Sequence, residues 1–355
     1  MQRTRHLEPA RPTTRPLGLS AAWEVALRRV GSILALAVWI ATPAYAADPT
    51  PSAQEVLASV GFSSDVLQSV LTGEIVEKRL ESTSDRDLAA ALVFLVRQPP
   101  EQFLDEVVRE QLLSREDPNT LSHGTLEGDS GPEALAGLAL SADEKKLYAG
   151  ARAGDDLNLS SAEIAALKAL GGKEAAVEAE LRKILLARYR AYKQQGLAGI
   201  APYDRGKDVT DAAGDLRRAS DAAHGIQKFD PVFFRYLREL PKDPPADLRE
   251  VFHWSRYDAH GEPALILTHG FTTRVGAAIA AVQRQYYVSR GYNVEQAAVA
   301  FIPVKEGTLV VYTNHTSTDQ VTGFGGSAKR SLGEKVMAAQ LKSLYEKVRG
   351  AASKP

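Results

Sequence analysis

The chain has 355 residues, of which 44% are hydrophobic and 25% charged, a globular balance long enough for two domains or for one domain carrying an insertion. It contains no cysteine, which excludes disulfides, thiolate metal sites, cysteine nucleophiles and a lipidated N-terminal cysteine. The formal net charge is −1 with histidines neutral, so the whole chain offers no excess of positive charge for a nucleic acid.

The N-terminus reads as a secretory signal. Arg28 and Arg29 precede the apolar run "VGSILALAVWIATPA", and Ala44 and Ala46 fit an A-x-A cleavage pattern. The core of that run is about 11 residues, a length that suits a signal and is short for a membrane span. A Sec-type signal peptide is therefore expected over 1–46, with cleavage after Ala46 and a periplasmic or secreted destination. Removing 1–46 takes away six Arg and two Glu and leaves 37 basic and 42 acidic residues, net −5. No transmembrane segment is expected after cleavage, and no nucleic-acid partner.

The elements follow in chain order. Ser52 and Glu55 form a capping-box pattern that opens a short helix. A second helical stretch runs from Ser63 to Leu71, and Gly73 breaks it. "EIVEKRL" (74–80) alternates as a strand. "RDLAAALVFLV" (86–96) is an apolar, strand-like run, and Pro99 and Pro100 turn it into a helix carrying Phe103, Val107, Val108 and Leu112. A third strand is expected over 119–128. Residues 129–245 then become helical. Capping boxes recur at Ser141/Glu144 and Ser160/Glu163. Val177, Leu181, Ile184, Leu185, Tyr189 and Tyr192 share one face of a long amphipathic helix. A Gly-containing connection spans 194–208, helices follow over 209–221 and 231–240, and the proline-rich "LPKDPPAD" closes the block. From Leu248 the period changes to two. Five strands are expected at 249–258, 263–273, 277–290, 294–304 and 308–317, broken by "HGEP", "TRVG", "RGYN" and "KEG". Such short connections favour an antiparallel meander. Leu332, Val336, Met337, Leu341, Leu344, Tyr345 and Val348 line one face of a final helix over 327–349. The expected organisation is a signal peptide (1–46), N-terminal helices and first strands (47–128), a helical insertion (129–245), and a meander with its C-terminal helix (246–355).

"LAAALVFLVRQPPEQFLDEVV" and "GTLVVYTNHTSTDQVTGFGGSAKRSLGEKVMAAQLKSLYEKVR" together resemble the first strand with its helix, and the last strand with its corner and long helix, of the helix-grip fold. That is the fold of START-like (SRPBCC, Bet v 1-type) domains. The resemblance implies an α+β fold in which an antiparallel sheet grips a long C-terminal helix, here interrupted by the block 129–245 and preceded by one extra strand. "FHWSR" (252–256), "LTH" (267–269) and "QYYVSRGYN" (285–293) also resemble a group of uncharacterised secreted bacterial proteins, a likeness that implies a shared fold and no activity.

The resemblance implies a ligand cavity, and strand faces supply the candidates for its walls. Trp254 and Arg256 share a face of the first meander strand, Arg284 and Tyr286 of the third, and Tyr312 and Asn314 of the fifth, and His269 on the second is the seventh candidate ligand residue; aromatics would form apolar walls and a polar group would orient a head group. His269 and His253 fall on adjacent strands and, with Asp319, are the candidates for a Ser/His/Asp-type or metal constellation, although no spaced motif supports one. "AGDDLNLSSAE" (153–163) lacks the spacing of a calcium loop. Gly323, Gly325 and Gly326 suit a corner better than a phosphate loop. "NHT" (314–316) matches a glycosylation sequon, and Lys329 and Arg330 suit a solvated helix start.

No cofactor and no metal are expected. The leading expectation is a non-catalytic exported protein that binds a hydrophobic or amphipathic small molecule, with a lipid among the candidates. The alternatives are a hydrolase or isomerase using His269 or His253 with Asp319, and an envelope scaffold acting through the helical block.

Overall fold

The computed structural model describes residues 49–109, 119–240, 244–259 and 261–322, with a few single positions after them. The signal peptide expected over 1–46, the corner glycines Gly323 and Gly325, and the final helix expected over 327–349 lie outside the continuously described residues.

The fold is α+β. Eight strands make one antiparallel sheet among the described residues. Their order is β1 (Val76–Arg79), β2 (Asp87–Val96), β10 (Gly307–Ser317), β9 (Val294–Val304), β8 (Ala278–Val288), β7 (Glu262–Val275), β6 (Arg249–Ala259) and β3 (Thr120–Leu126). The five meander strands fall within two residues of their expected ends. They pair in sequence because their connections are too short for anything but hairpins. β6 also pairs with β3, so the chain between these two neighbours leaves the sheet and returns beside its departure point.

The face each residue occupies follows from the pairing. β2 is buried at all ten positions. Leu88, Ala90, Leu92, Phe94 and Val96 join one core, and Ala91, Val93 and Leu95 join another on the opposite face. That is why "LAAALVFLV" shows no alternation: both faces are covered. On the first face, called here the far face, α3 (Pro100–Arg109) packs Phe103 edge-on to Phe301, ring centroids 5.9 Å apart. On the other, the helical face, two groups of helices cover different parts of the sheet. α1 (Ala53–Ser59) and α2 (Val66–Leu71) lie over β2, β10 and β9. The block between β3 and β6 lies over β6 to β9.

That block contains α4 (Ala142–Ala149), α5 (Ser161–Ala169), α6 (Glu174–Gln195), α7 (Ala212–Asp221), α8 (His224–Phe229) and α9 (Pro231–Glu239). All three capping boxes form, with Ser52, Ser141 and Ser160 accepting from Glu55, Glu144 and Glu163. The longest described helix is α6, with Val177, Leu181, Ile184, Leu185, Tyr189 and Tyr192 all buried as its periodicity requires. The structure departs from expectation around 203–212. A hairpin of β4 (Tyr203–Asp204) and β5 (Val209–Thr210) replaces the start of the helix expected at 209. Asp211 accepts from Gly214 N at 2.9 Å, and this N-cap fixes the helix start at Ala212. α8 has no counterpart in the sequence expectation.

β8 carries a bulge. Leu267 pairs with Tyr287 and Thr268 with Gln285, so Tyr286 is an extra residue and both tyrosines pack in the same helical-face core. The β9–β10 turn is equally specific. Gly307 has φ +137, and a Cβ there would lie 2.2 Å from the Val96 carbonyl oxygen. Gly307→Ala should therefore lower stability by more than about 1 kcal/mol. A thermal melt of the variant that matched the parent would contradict this turn geometry.

Candidate functional site

A groove opens on the helical face where the two helix groups leave part of the sheet uncovered. Its volume is about 400 Å³. The pairing of β8, β9 and β10 sets its floor: Ala280 faces Ala300, Val311 faces Ala300, and Ala298 faces both Val282 and Thr313. Ala280, Ala298, Ala300 and Thr313 are only partly buried although they lie in the middle of an eight-stranded sheet. The cause is side-chain size. Three of the four positions carry a single methyl group, which does not reach the helices above, and no larger neighbour fills the space.

The walls come from three elements. α1 and its C-terminus contribute Val56, Ser59, Val60 and Gly61. The segment from Lys78 to Glu81 at the end of β1 forms a second wall, and α8 with its flanks, including His224, Ile226 and Phe229, forms the third. At one end α1 and α8 come together: a Cβ on Gly225 would lie 3.0 Å from Ser59 Oγ. Lys78 donates to the Gly61 carbonyl and sits over the Phe62 ring at 5.6 Å, which ties β1 to α1. The lining is mostly apolar, with His315 at one end. His315 Nδ1 lies 2.9 Å from Asp87 Oδ2, and that oxygen also accepts from Thr83 N at 2.7 Å and Thr83 Oγ1 at 2.9 Å.

None of the seven candidate ligand residues lines this groove. Trp254, Arg256, His269, Arg284 and Tyr286 do share the helical face, but they meet the helical block rather than open space. Trp254 Nε1 donates to the Ala134 carbonyl at 2.8 Å. Arg256 makes a two-pronged pair with Glu144 at 2.8 and 2.6 Å. Tyr286 stacks on Tyr192 of α6, centroids 4.0 Å apart and planes 7° apart. Arg284 is fully buried. It donates to Gln296 Oε1 at 3.0 and 2.8 Å, Tyr192 OH at 3.1 Å, Ser220 Oγ at 3.0 Å and the Leu237 carbonyl at 2.7 Å. These contacts join α6, α7 and α9 to the sheet.

Tyr312 and Asn314 lie on the far face. Asn314 Nδ2 donates to Tyr312 OH at 3.0 Å, and Thr316 Oγ1 donates to Asn314 Oδ1 at 2.7 Å and to Glu295 Oε2 at 3.3 Å. This is a hydrogen-bonded ladder inside a buried surface, not the lining of an open space.

The histidine–aspartate constellation does not assemble. His269 is on the helical face, where Tyr192 OH is 3.2 Å from its Nδ1 and Glu250 Oε1 is 2.9 Å from its Nε2. His253 pairs with Thr268 and so points to the far face. Asp319 accepts from Arg205 at 3.0 Å, Thr210 at 2.9 Å and Asn293 at 3.2 Å. Among the described residues no group of three acidic or histidine side chains is arranged to hold a metal, and Ser160 in the acidic stretch 153–163 serves as the α5 cap.

The groove residues sequence reasoning missed are the alanines and His315. Their signal is present in "AAIAAVQ" (277–283) and "QAAVAF" (296–301), neighbouring strands with alanine at alternate positions. Comparison with family models, curated proteins and solved structures returns no match.

Burial lowers the pKa of His269 to about 4 against the opposing pull of Glu250. Burial also lowers His253 to about 4, assisted by His123 and His269. Both rings are neutral in the folded chain where an exposed histidine, with a pKa near 6.5, takes up a proton. Their contribution is thus fully present above pH 6.5 and is lost as pH falls toward 4, because the unfolded state binds more protons. His253→Leu should reduce proton uptake on unfolding by about one across that window. A plot of unfolding midpoint against pH with an unaltered slope would count against it.

Proposed function

We propose that this chain is an exported protein that binds a hydrophobic or amphipathic small molecule, and that the site is the alanine-floored groove. One observation carries the reading: an apolar space of about 400 Å³ over the centre of the sheet, where a protein interior is otherwise filled. A gap of that size is within the range of small-molecule pockets, which run from about 300 to 1,000 Å³. A START-like relationship is supported by the adjacency of β2 and β10, the two strands the resemblance treats as first and last, and by β1 lying outside them as the extra strand. Export is supported by the signal-like sequence of 1–46.

Among the described residues, the helical block shows no cluster of exposed large hydrophobics to favour a scaffold role. Its exposed large hydrophobics, Leu147, Val209 and Val232, stand on three separate elements.

The test fills the groove. N-phenyl-1-naphthylamine, an uncharged probe that fluoresces in apolar sites, should bind the full chain saturably. Ala298→Trp should weaken that binding at least about tenfold, the equivalent of roughly 1.4 kcal/mol, while the far-UV spectrum and melting profile stay those of the parent. Equal probe affinity in parent and variant would remove the groove as the site.

A further inference from the structure

The groove has a chemically defined end, and that end selects its ligand. His315 points to the helical face of β10, in line with Val311 and Thr313 on the floor, and it borders both the groove and a small void beneath Asp87 and Asp215. The direction of its hydrogen bond to Asp87 is fixed by Thr83. A backbone N–H can only donate, so Asp87 Oδ2, which takes the Thr83 N–H at 2.7 Å and the Thr83 hydroxyl at 2.9 Å, stands as an acceptor. His315 Nδ1, 2.9 Å from the same oxygen, must then be the protonated nitrogen. In the neutral ring this leaves Nε2 with a lone pair, and Nε2 makes no hydrogen bond among the described residues. An apolar groove that ends in an oriented, unused acceptor discriminates by donor: a polar group buried without its partner loses the hydrogen bond it had in water.

We infer that the ligand is an apolar molecule ending in a hydroxyl, whose O–H donates to His315 Nε2 while its hydrocarbon lies along Ala280, Ala298 and Ala300. This rests on the reading that the groove binds a small apolar molecule. Asp87 and Thr83 act as positioning residues for the ring.

The experiment is displacement of N-phenyl-1-naphthylamine from the full chain by three probes of equal chain length: 1-dodecanol, dodecyl methyl ether and dodecanoic acid. The alcohol should displace at about tenfold lower concentration than the ether, which lacks the donor. In His315→Phe the alcohol-to-ether ratio should fall to about one. The comparison within the parent protein stands even if that variant does not fold. Equal displacement by alcohol and ether overturns the inference and leaves the groove as an apolar site. Tightest displacement by the acid overturns it too, because it requires a donor at the ring. Displacement by none of the three overturns the small-molecule reading itself, and this inference with it.

Discussion

A slip of β9 by one residue against β10 would turn Ala298 and Ala300 to the far face and bring Val299 and Phe301 into the groove. The groove therefore exists only because the strand register is held. Three features hold it: the tight β9–β10 turn at Gly307, the pairing of β10 with the fully buried β2, and a far-face core that needs Val299 and Phe301 where they are. Backbone pairing decides which side chains face which helices, and side-chain size then decides whether those helices close over them. Where Leu265, Leu267 and Tyr287 face the helical block the interface is filled, and where alanines face it the interface stays open.

Arg284 shows the other way this sheet engages its helices. Its guanidinium is fully buried with no carboxylate against it, and its partners are an amide oxygen, two hydroxyls and a carbonyl. Phe271 lies 5.5 Å below it, adding the attraction of an aromatic face. Removing a buried charge that is satisfied in this way leaves several groups unpaired, which is costly whatever the net worth of the intact set. The geometry is directional, so it fixes α6, α7 and α9 relative to β8 and β9 as greasy contacts alone do not. The same placement explains why so reactive-looking a group is remote from the open space: its valences are used inside the protein.

Much of the fold is legible in the amino-acid sequence. The meander shows because period-two stretches alternate with turn residues, and the helix starts show because a Ser with a Glu three positions on satisfies two orphan backbone groups. Side-chain pairing is less legible. Trp254, Arg256 and Tyr286 sit on a strand face as alternation requires, but alternation does not say whether a face meets a cavity or a helix. The answer depends on Ala134, Glu144 and Tyr192, residues between 94 and 120 positions away in the chain. Tyr312 and Asn314 went with the wrong partners for a related reason: their strand faces α3 on one side and α1 on the other, and periodicity treats the two sides alike. The groove itself is marked by what is missing from its floor, and a run of alanines in a strand carries little periodic signal.

The bulge at Tyr286 has a consequence for how this sheet tolerates changes of length. At most positions in a ladder, losing or gaining one residue inverts every side chain beyond it. Between Gln285 and Tyr287 the strand already holds one residue more than its partner needs. Deleting Tyr286 would bring Tyr287 next to Gln285 with the alternation restored, and every other residue of β8 would keep its face. What would disappear is the stacked contact with Tyr192. The position is a built-in phase adjuster, the point in β8 where one residue can be dropped while the alanine floor at the other end of the strand stays in register.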